Sequence, residues 1–138
     1  IIQQNVYLAF FEFNYFANAN YARLIDNWSF KTNGNYHSIK IKRIPFRITD
    51  ISATDKNHFT ALNYFYKGGG NDEVYRFPLK DSKNDKLIRD SSGYHNYCRL
   101  IDVKYHPSSL RMTWKPLWEF PTAYWCYNWE GIAAYKKG

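Results

Sequence analysis

The chain has 138 residues, 19 of them Lys or Arg against 12 Asp or Glu, giving a formal charge of +7 and a pI near 9.4. That length fits one domain with a substantial core, and the charge points to an acidic partner such as nucleic acid, an anionic surface or an acidic protein. Two cysteines, Cys98 and Cys126, and four scattered histidines exclude zinc-site spacing, and no apolar run reaches the ~18 residues of a membrane-spanning helix.

Trp, Tyr and Phe make up 20% of the residues, which suits pleated, half-buried surfaces and predicts an all-β domain. The opening "IIQQNVYLAFFEF" is apolar but interrupted by Gln3, Gln4, Asn5 and Glu12. It lacks a basic leader and a small-residue cleavage site, so no signal peptide is expected. Ile1 is expected to begin the ordered portion of a longer chain.

The first alternating run spans Val6 to Phe16. In 17–28 alternation stops; Tyr21, Leu24, Ile25 and Trp28 stand at helical spacing, which predicts one short helix. Asn27-Trp28-Ser29 matches a glycosylation triplet, a pattern short enough to arise by chance. Residues 31–35 form a turn around Asn33-Gly34, and one long strand is expected from Tyr36 to Ser52. A polar loop, 53–57, precedes a third strand, Phe59 to Lys67. The Gly68-Gly69-Gly70 connection has no Lys-Ser/Thr behind it and reads as a hairpin loop rather than a phosphate cradle.

A fourth strand is predicted over Glu73 to Leu79, a charged loop over 80–85, a short fifth strand over Lys86 to Arg89 and a turn over 90–93. Tyr94 to His106 makes the sixth strand, stopped by Pro107. Leu110 to Phe120, broken by Pro116, makes the seventh. Tyr124 to Tyr135, with a bulge at Gly131, makes the eighth. About eight short runs separated by turns suit a single eight-stranded antiparallel jelly-roll sandwich over 1–138, with at most one short helix. Short, Pro-bearing strands fit the edges of a sandwich better than a closed barrel.

No nucleophile elbow, zincin motif or Walker loop occurs. Neither an enzyme nor a cofactor nor a bound metal is expected, and catalytic residues are none. The chemistry that stands out is charge. In "HSIKIKRIPFRITD" (37–50), Ile39 and Ile41 share a face opposite Lys40 and Lys42. Parity then changes, and Ile44, Phe46 and Ile48 become the apolar set. A β-bulge at Lys42–Arg43 restores one apolar face and one cationic row, Lys40, Lys42, Arg43 and Arg47. Pro45 cannot donate to a ladder, which puts the strand near an edge or opening there. A passive strand face mixes both signs, and this run holds no acid before Asp50.

Arg99, Lys104, Arg111 and Lys115 form a second basic zone, interleaved with Tyr97, Tyr105 and Trp114. Cations among aromatic rings suit single-stranded nucleic acid. Trp114, Trp118, Trp125 and Trp129 are expected in the core or at a subunit interface, where such rings dominate buried contacts.

Two stretches, Tyr36 to Phe46 with its Ile-Lys-Ile-Lys-Arg-Ile core and the late "GYHNYCRLIDVKYHPSS", carry a resemblance. In order of elements over roughly residues 20–135, the chain resembles capsid proteins of small circular single-stranded DNA viruses, the circovirus-like group. The resemblance implies a jelly roll that assembles with itself into an icosahedral shell and packages single-stranded DNA. It implies a virion location, with assembly in the host nucleus or cytoplasm, and no membrane partner. Lys40, Lys42, Arg43 and Arg47 are then the candidates to face the genome or a neighbouring subunit, with Arg99, Lys104, Arg111 and Lys115 as secondary candidates. That family usually carries an Arg-rich N-terminal arm, which this sequence does not contain. The competing readings are a carbohydrate- or small-ligand-binding β-sandwich and a lipocalin-like barrel.

Overall fold

Alternation of apolar and polar side chains turns into strands wherever a partner strand is at hand, and this decides most of the architecture. The computed structural model describes residues 2–3, 6–13, 21–26, 36–76 and 82–133. Among them the strands are β1 (Ile2–Gln3), β2 (Val6–Ala9), β3 (Tyr21–Asp26), β4 (His37–Ile41), β5 (Arg47–Ala53), β6 (His58–Phe65), β7 (Arg89–Asp90), β8 (Gly93–Tyr94), β9 (Tyr97–His106) and β10 (Arg111–Glu119). Eight of them join one curled sheet in the order β1-β2-β3-β4-β10-β9-β6-β5, and β7–β8 is a separate hairpin.

The all-β class holds. The expectation of wholly antiparallel pairing fails at one place: β10 runs parallel to β4, with Arg111 beside Lys40 and Met112 beside Ile41. One α-helix, Ser82–Ile88, occurs among the described residues.

Four expected elements are corrected. Residues 21–26 form β3 rather than part of a helix, because β2 and β4 flank them and draw Ala22 onto the core face; the rest of the predicted helix, and the turn at 31–35, lie outside the described residues. The fourth strand is not formed at its start. Gly70–Tyr75 is a 3-10 turn in which Asp72 accepts the Tyr66 backbone N–H at 3.2 Å, and 77–79 lie outside the described residues. Within the loop and short strand expected over 80–89, residues 82–88 form the helix Ser82–Ile88, steadied by an Asp85–Arg89 pair at 2.5 Å and by burial of Ile88, and 80–81 lie outside the described residues. Between Tyr124 and Ala133 no strand forms. Trp125 and Trp129 instead donate their indole N–H groups to Phe120 and Tyr124 carbonyls five residues back, at 2.8 and 3.0 Å. Residues 134–135 lie outside the described residues.

The long strand expected over 36–52 is two. The ladder stops at Ile41 and resumes at Arg47, and the chain between them passes from the middle of the sheet to its far edge, beyond β10, β9 and β6. The expected bulge is therefore a crossing. Pro45 removes one donor, and Phe46 takes a left-handed φ of 68°. Buried Asn63 donates to the carbonyls of Pro45 and Arg47 at 2.8 and 3.1 Å and fixes the bend. Ile39, Ile41, Ile44 and Ile48 are buried in one core cluster, while Phe46 is buried in another, against Phe65, Ile88 and Tyr97, so the expected single apolar face is split at the crossing.

The sheet curls around a core of Ile39, Ile41, Ile44, Ile48, Ile101, Val103 and Met112, with Leu8 from one end of the sheet and Ile51 from the other against it. A hydrogen bond from the Ile48 backbone N–H to the Glu12 carbonyl, 2.8 Å, ties β5 to the segment after β2. The other face of the sheet is divided. Over Leu62, Tyr64 and Cys98 it is covered by Phe120, Trp129 and Ile132 of the C-terminal segment, anchored where Ile132 donates its N–H to Asp50 at 2.7 Å. Over the second half of β9 none of the described segments covers it, and Lys104 is exposed.

Candidate nucleic-acid interface

Strand register brings together the two basic zones that the sequence separates. Because β4 and β10 are neighbours, Lys40 stands beside Arg111. One strand further, Thr113 pairs with Lys104 and Lys115 with Asp102. Residues paired across a sheet share a face, so Lys40, Arg111, Lys115 and Lys104 lie on one side, and all four are exposed. Core residues Ile41, Met112 and Val103 alternate with them on the other side.

Asp102 is set among these cations. It meets Lys115 at 3.8 Å and His58 Nδ1 at 3.1 Å. Lys115 remains 72% exposed in its side chain, so that pair is worth little and the ammonium stays available to a ligand.

The crossing segment follows the same strand. Lys42 donates its backbone N–H to Met112 at 3.3 Å, and the Trp114 indole donates to the Arg43 carbonyl at 2.9 Å. Exposed Lys42 and Arg43 therefore lie at the rim of β10. On the opposite flank, half-exposed Tyr36 has the Arg23 guanidinium 4.6 Å from its ring centre, and Tyr21 pairs directly with Lys40. The sequence offered Tyr97, Tyr105 and Trp114 as stacking rings. It passed over Tyr21 and Tyr36, whose signal is visible only once β3 is a strand.

Two predicted contacts are placed elsewhere. Arg47 is held between Glu12 and Asp72 at 3.5 and 3.6 Å, over the Tyr64 ring at 4.9 Å. Burial pushes Asp72 above the usual carboxylate range, while Arg47 and the Tyr66 N–H pull it back. Arg99 is 3% exposed, so it is corrected from surface contact to interior residue. Its Nε donates to Asn63 at 2.8 Å, and its guanidinium sits 5.2 Å from the Trp114 ring centre. Burial lowers its pKa, with Tyr97 and Glu119 opposing, and it stays charged because the starting value is so high.

The tryptophans divide. Trp114, Trp125 and Trp129 each pack against a different buried cluster, while Trp118 is 49% exposed. The thiol of Cys98 is buried and pushed up to about 12, so it offers no nucleophile at neutral pH. No group of three or more His, Cys, Asp or Glu that could hold a metal ion occurs among the described residues, and no described helix is long and apolar enough to cross a membrane. What the open face can do is attract and align a flexible polyanion, with rings at one flank for its bases. No protein-family model, curated protein or solved structure matches the chain.

Proposed function

We propose that this chain is a capsid-type structural protein that binds single-stranded nucleic acid on the open face of its sheet and assembles with itself into a closed shell. The observation that carries the reading is the convergence of Lys40, Lys104, Arg111 and Lys115 on one solvent-facing side of three adjacent strands. Four cations with one carboxylate among them form a field that draws phosphates. Lys42 and Arg43 extend the row at its rim.

Single strands suit this face better than duplex. Tyr21 and Tyr36 lie at its flank, and an unpaired base has a free ring face for them to stack on. The eight-stranded jelly roll belongs to this proposal. Its support is eight strands in one curled sheet; the parallel β4–β10 pair departs from a wholly antiparallel roll.

The test is titration of a fluorescent oligothymidylate across a range of salt concentrations. Neutralising four phosphates on a single strand gives a log–log salt slope of about −3. Lys40→Ala with Arg111→Ala is expected to weaken binding at least about tenfold and to lower that slope to about −1.5, since two contacts are lost. Native-like affinity and slope in the double variant would sink the reading. Light scattering then tests the shell: particles are expected with nucleic acid present, and a persistent monomer overturns that half of the proposal.

A further inference from the structure

Two histidines stand within the basic face. His58 begins β6 directly opposite Lys104, and His106 ends β9 directly opposite Arg111. Residues paired across a sheet share a face, so both imidazoles lie on the side of Lys40, Lys104, Arg111 and Lys115, and both are partly exposed. The other described histidines are placed elsewhere. His37 has the strand parity of core residues Ile39 and Ile41, and His95 stacks on Trp125 with ring centres 4.6 Å apart.

Each of the two rings has a partner that suits both of its charge states. His58 Nδ1 lies 3.1 Å from an Asp102 carboxylate oxygen, which accepts from the neutral Nδ1–H tautomer and from the imidazolium alike. His106 Nε2 lies 2.9 Å from the Thr113 hydroxyl, which donates to a bare ring nitrogen and, on rotating, accepts from a protonated one. A proton therefore enters either ring without breaking its contact. The surrounding groups are mostly cationic. Lys104 pairs with His58, and Lys115 lies 3.8 Å from Asp102. Arg111 and Lys40 share a row with His106. The loop before β6 adds Lys56 and Asp55, whose charges cancel. Asp55 accepts the Asn57 and His58 backbone N–H groups at 2.9 and 3.0 Å, and the Asn57 bond above all holds its carboxyl below the usual carboxylate range. Four cations against Asp102 leave the face at +3, and two imidazoliums raise it to +5.

We infer that His58 and His106 make the basic face a proton-operated clamp, which holds single-stranded nucleic acid more tightly as the solution turns acid and loosens its hold as the pH rises. The inference rests on the nucleic-acid reading of this same face. An imidazole changes charge between about pH 5 and pH 8. A phosphate on the face favours the charged ring, so binding takes up protons, and by linkage the affinity rises as pH falls through that range. Protonated His58 also neutralises Asp102, which leaves Lys115 to the ligand.

The experiment titrates fluorescent oligothymidylate onto the full chain at about pH 8 and about pH 5.5. Thymine and the phosphodiester keep one charge state across that range, so a change in affinity reports on the protein. Affinity is expected to be about tenfold higher at the lower pH, and the log–log salt slope to steepen from about −3 to about −4, as two contacts are added. His58→Gln with His106→Gln keeps a hydrogen-bonding group at each place and is expected to cut the ratio of the two affinities to about twofold or less. Each single variant is expected to fall between, and His37→Gln to keep the native ratio. Asp102→Asn is expected to raise affinity at the higher pH, because the carboxylate among the cations is gone. A native ratio in the double variant overturns the inference, and so does equal affinity at the two pH values in the native chain; in both cases the nucleic-acid reading stands. Absence of binding at either pH overturns that reading and the inference with it.

Discussion

Asn63 is the residue on which the most separate features depend. Its side chain is fully buried; it donates to the carbonyls of Pro45 and Arg47 and accepts from Arg99 Nε. One amide thus holds the bend between β4 and β5 and gives a buried guanidinium its partner. Asn63→Ala leaves two carbonyls and one charged donor without partners in the interior. Each orphaned group costs about 1–3 kcal/mol, more where charged. After partial relaxation the expected loss is about 3 kcal/mol of unfolding free energy in urea. A loss below about 1 kcal/mol would show that the bend holds itself, through Pro45 and the Phe46 conformation.

At the scale of elements, the β9–β10 hairpin sets the geometry of the basic face. Its connection is the 3-10 turn Pro107–Ser109 followed by Leu110 in a left-handed conformation, φ 47°. A leucine there costs roughly 1–2 kcal/mol relative to the right-handed form, and its side chain is 47% exposed and contributes little packing. Glycine removes that cost but adds unfolded-state entropy of roughly 0.5–1 kcal/mol. Leu110→Gly is therefore expected to stabilise the protein by about 0.5 kcal/mol, read as a higher urea midpoint at unchanged slope. Destabilisation by more than about 1 kcal/mol would mean that the leucine side chain packs.

Across the whole molecule, the curl determines what is inside. β5 is the last strand of the sheet, and such an edge ordinarily leaves N–H groups to solvent. Here the Ile48 N–H, which points away from β6, is taken by the carbonyl of Glu12 in the segment after β2, near the other end of the strand order. Arg47 reinforces the closure by pairing with the Glu12 carboxylate at 3.5 Å. In native-state hydrogen exchange the Ile48 amide is expected to exchange as slowly as that of Ile101 in the central strand β9. Exchange at the rate of an unprotected edge amide would show that the two ends separate in solution.

Much of this was legible in the chain. Period-two alternation is local, so β6, β9 and β10 appear within a few residues of their expected limits, and Ile39, Ile41, Ile44, Phe46 and Ile48 are each recognisable as buried, although Phe46 enters a different cluster from the isoleucines. Gly93 and Asp90 mark the β7–β8 turn by their own chemistry: Gly93 has φ 112°, and Asp90 accepts the Ser92 N–H at 2.7 Å. The number and sign of the charges were equally plain. The tertiary structure alone decided which strands are neighbours, because pairing depends on surfaces far apart in sequence. It put Lys40 beside Arg111, took Arg99 inside and turned residues 21–26 from apparent helix into strand. Alternation records which residues face a common side, but only burial against a particular partner fixes what that side meets. For the same reason Lys40, Lys104, Arg111 and Lys115 form one surface that the order of residues does not announce.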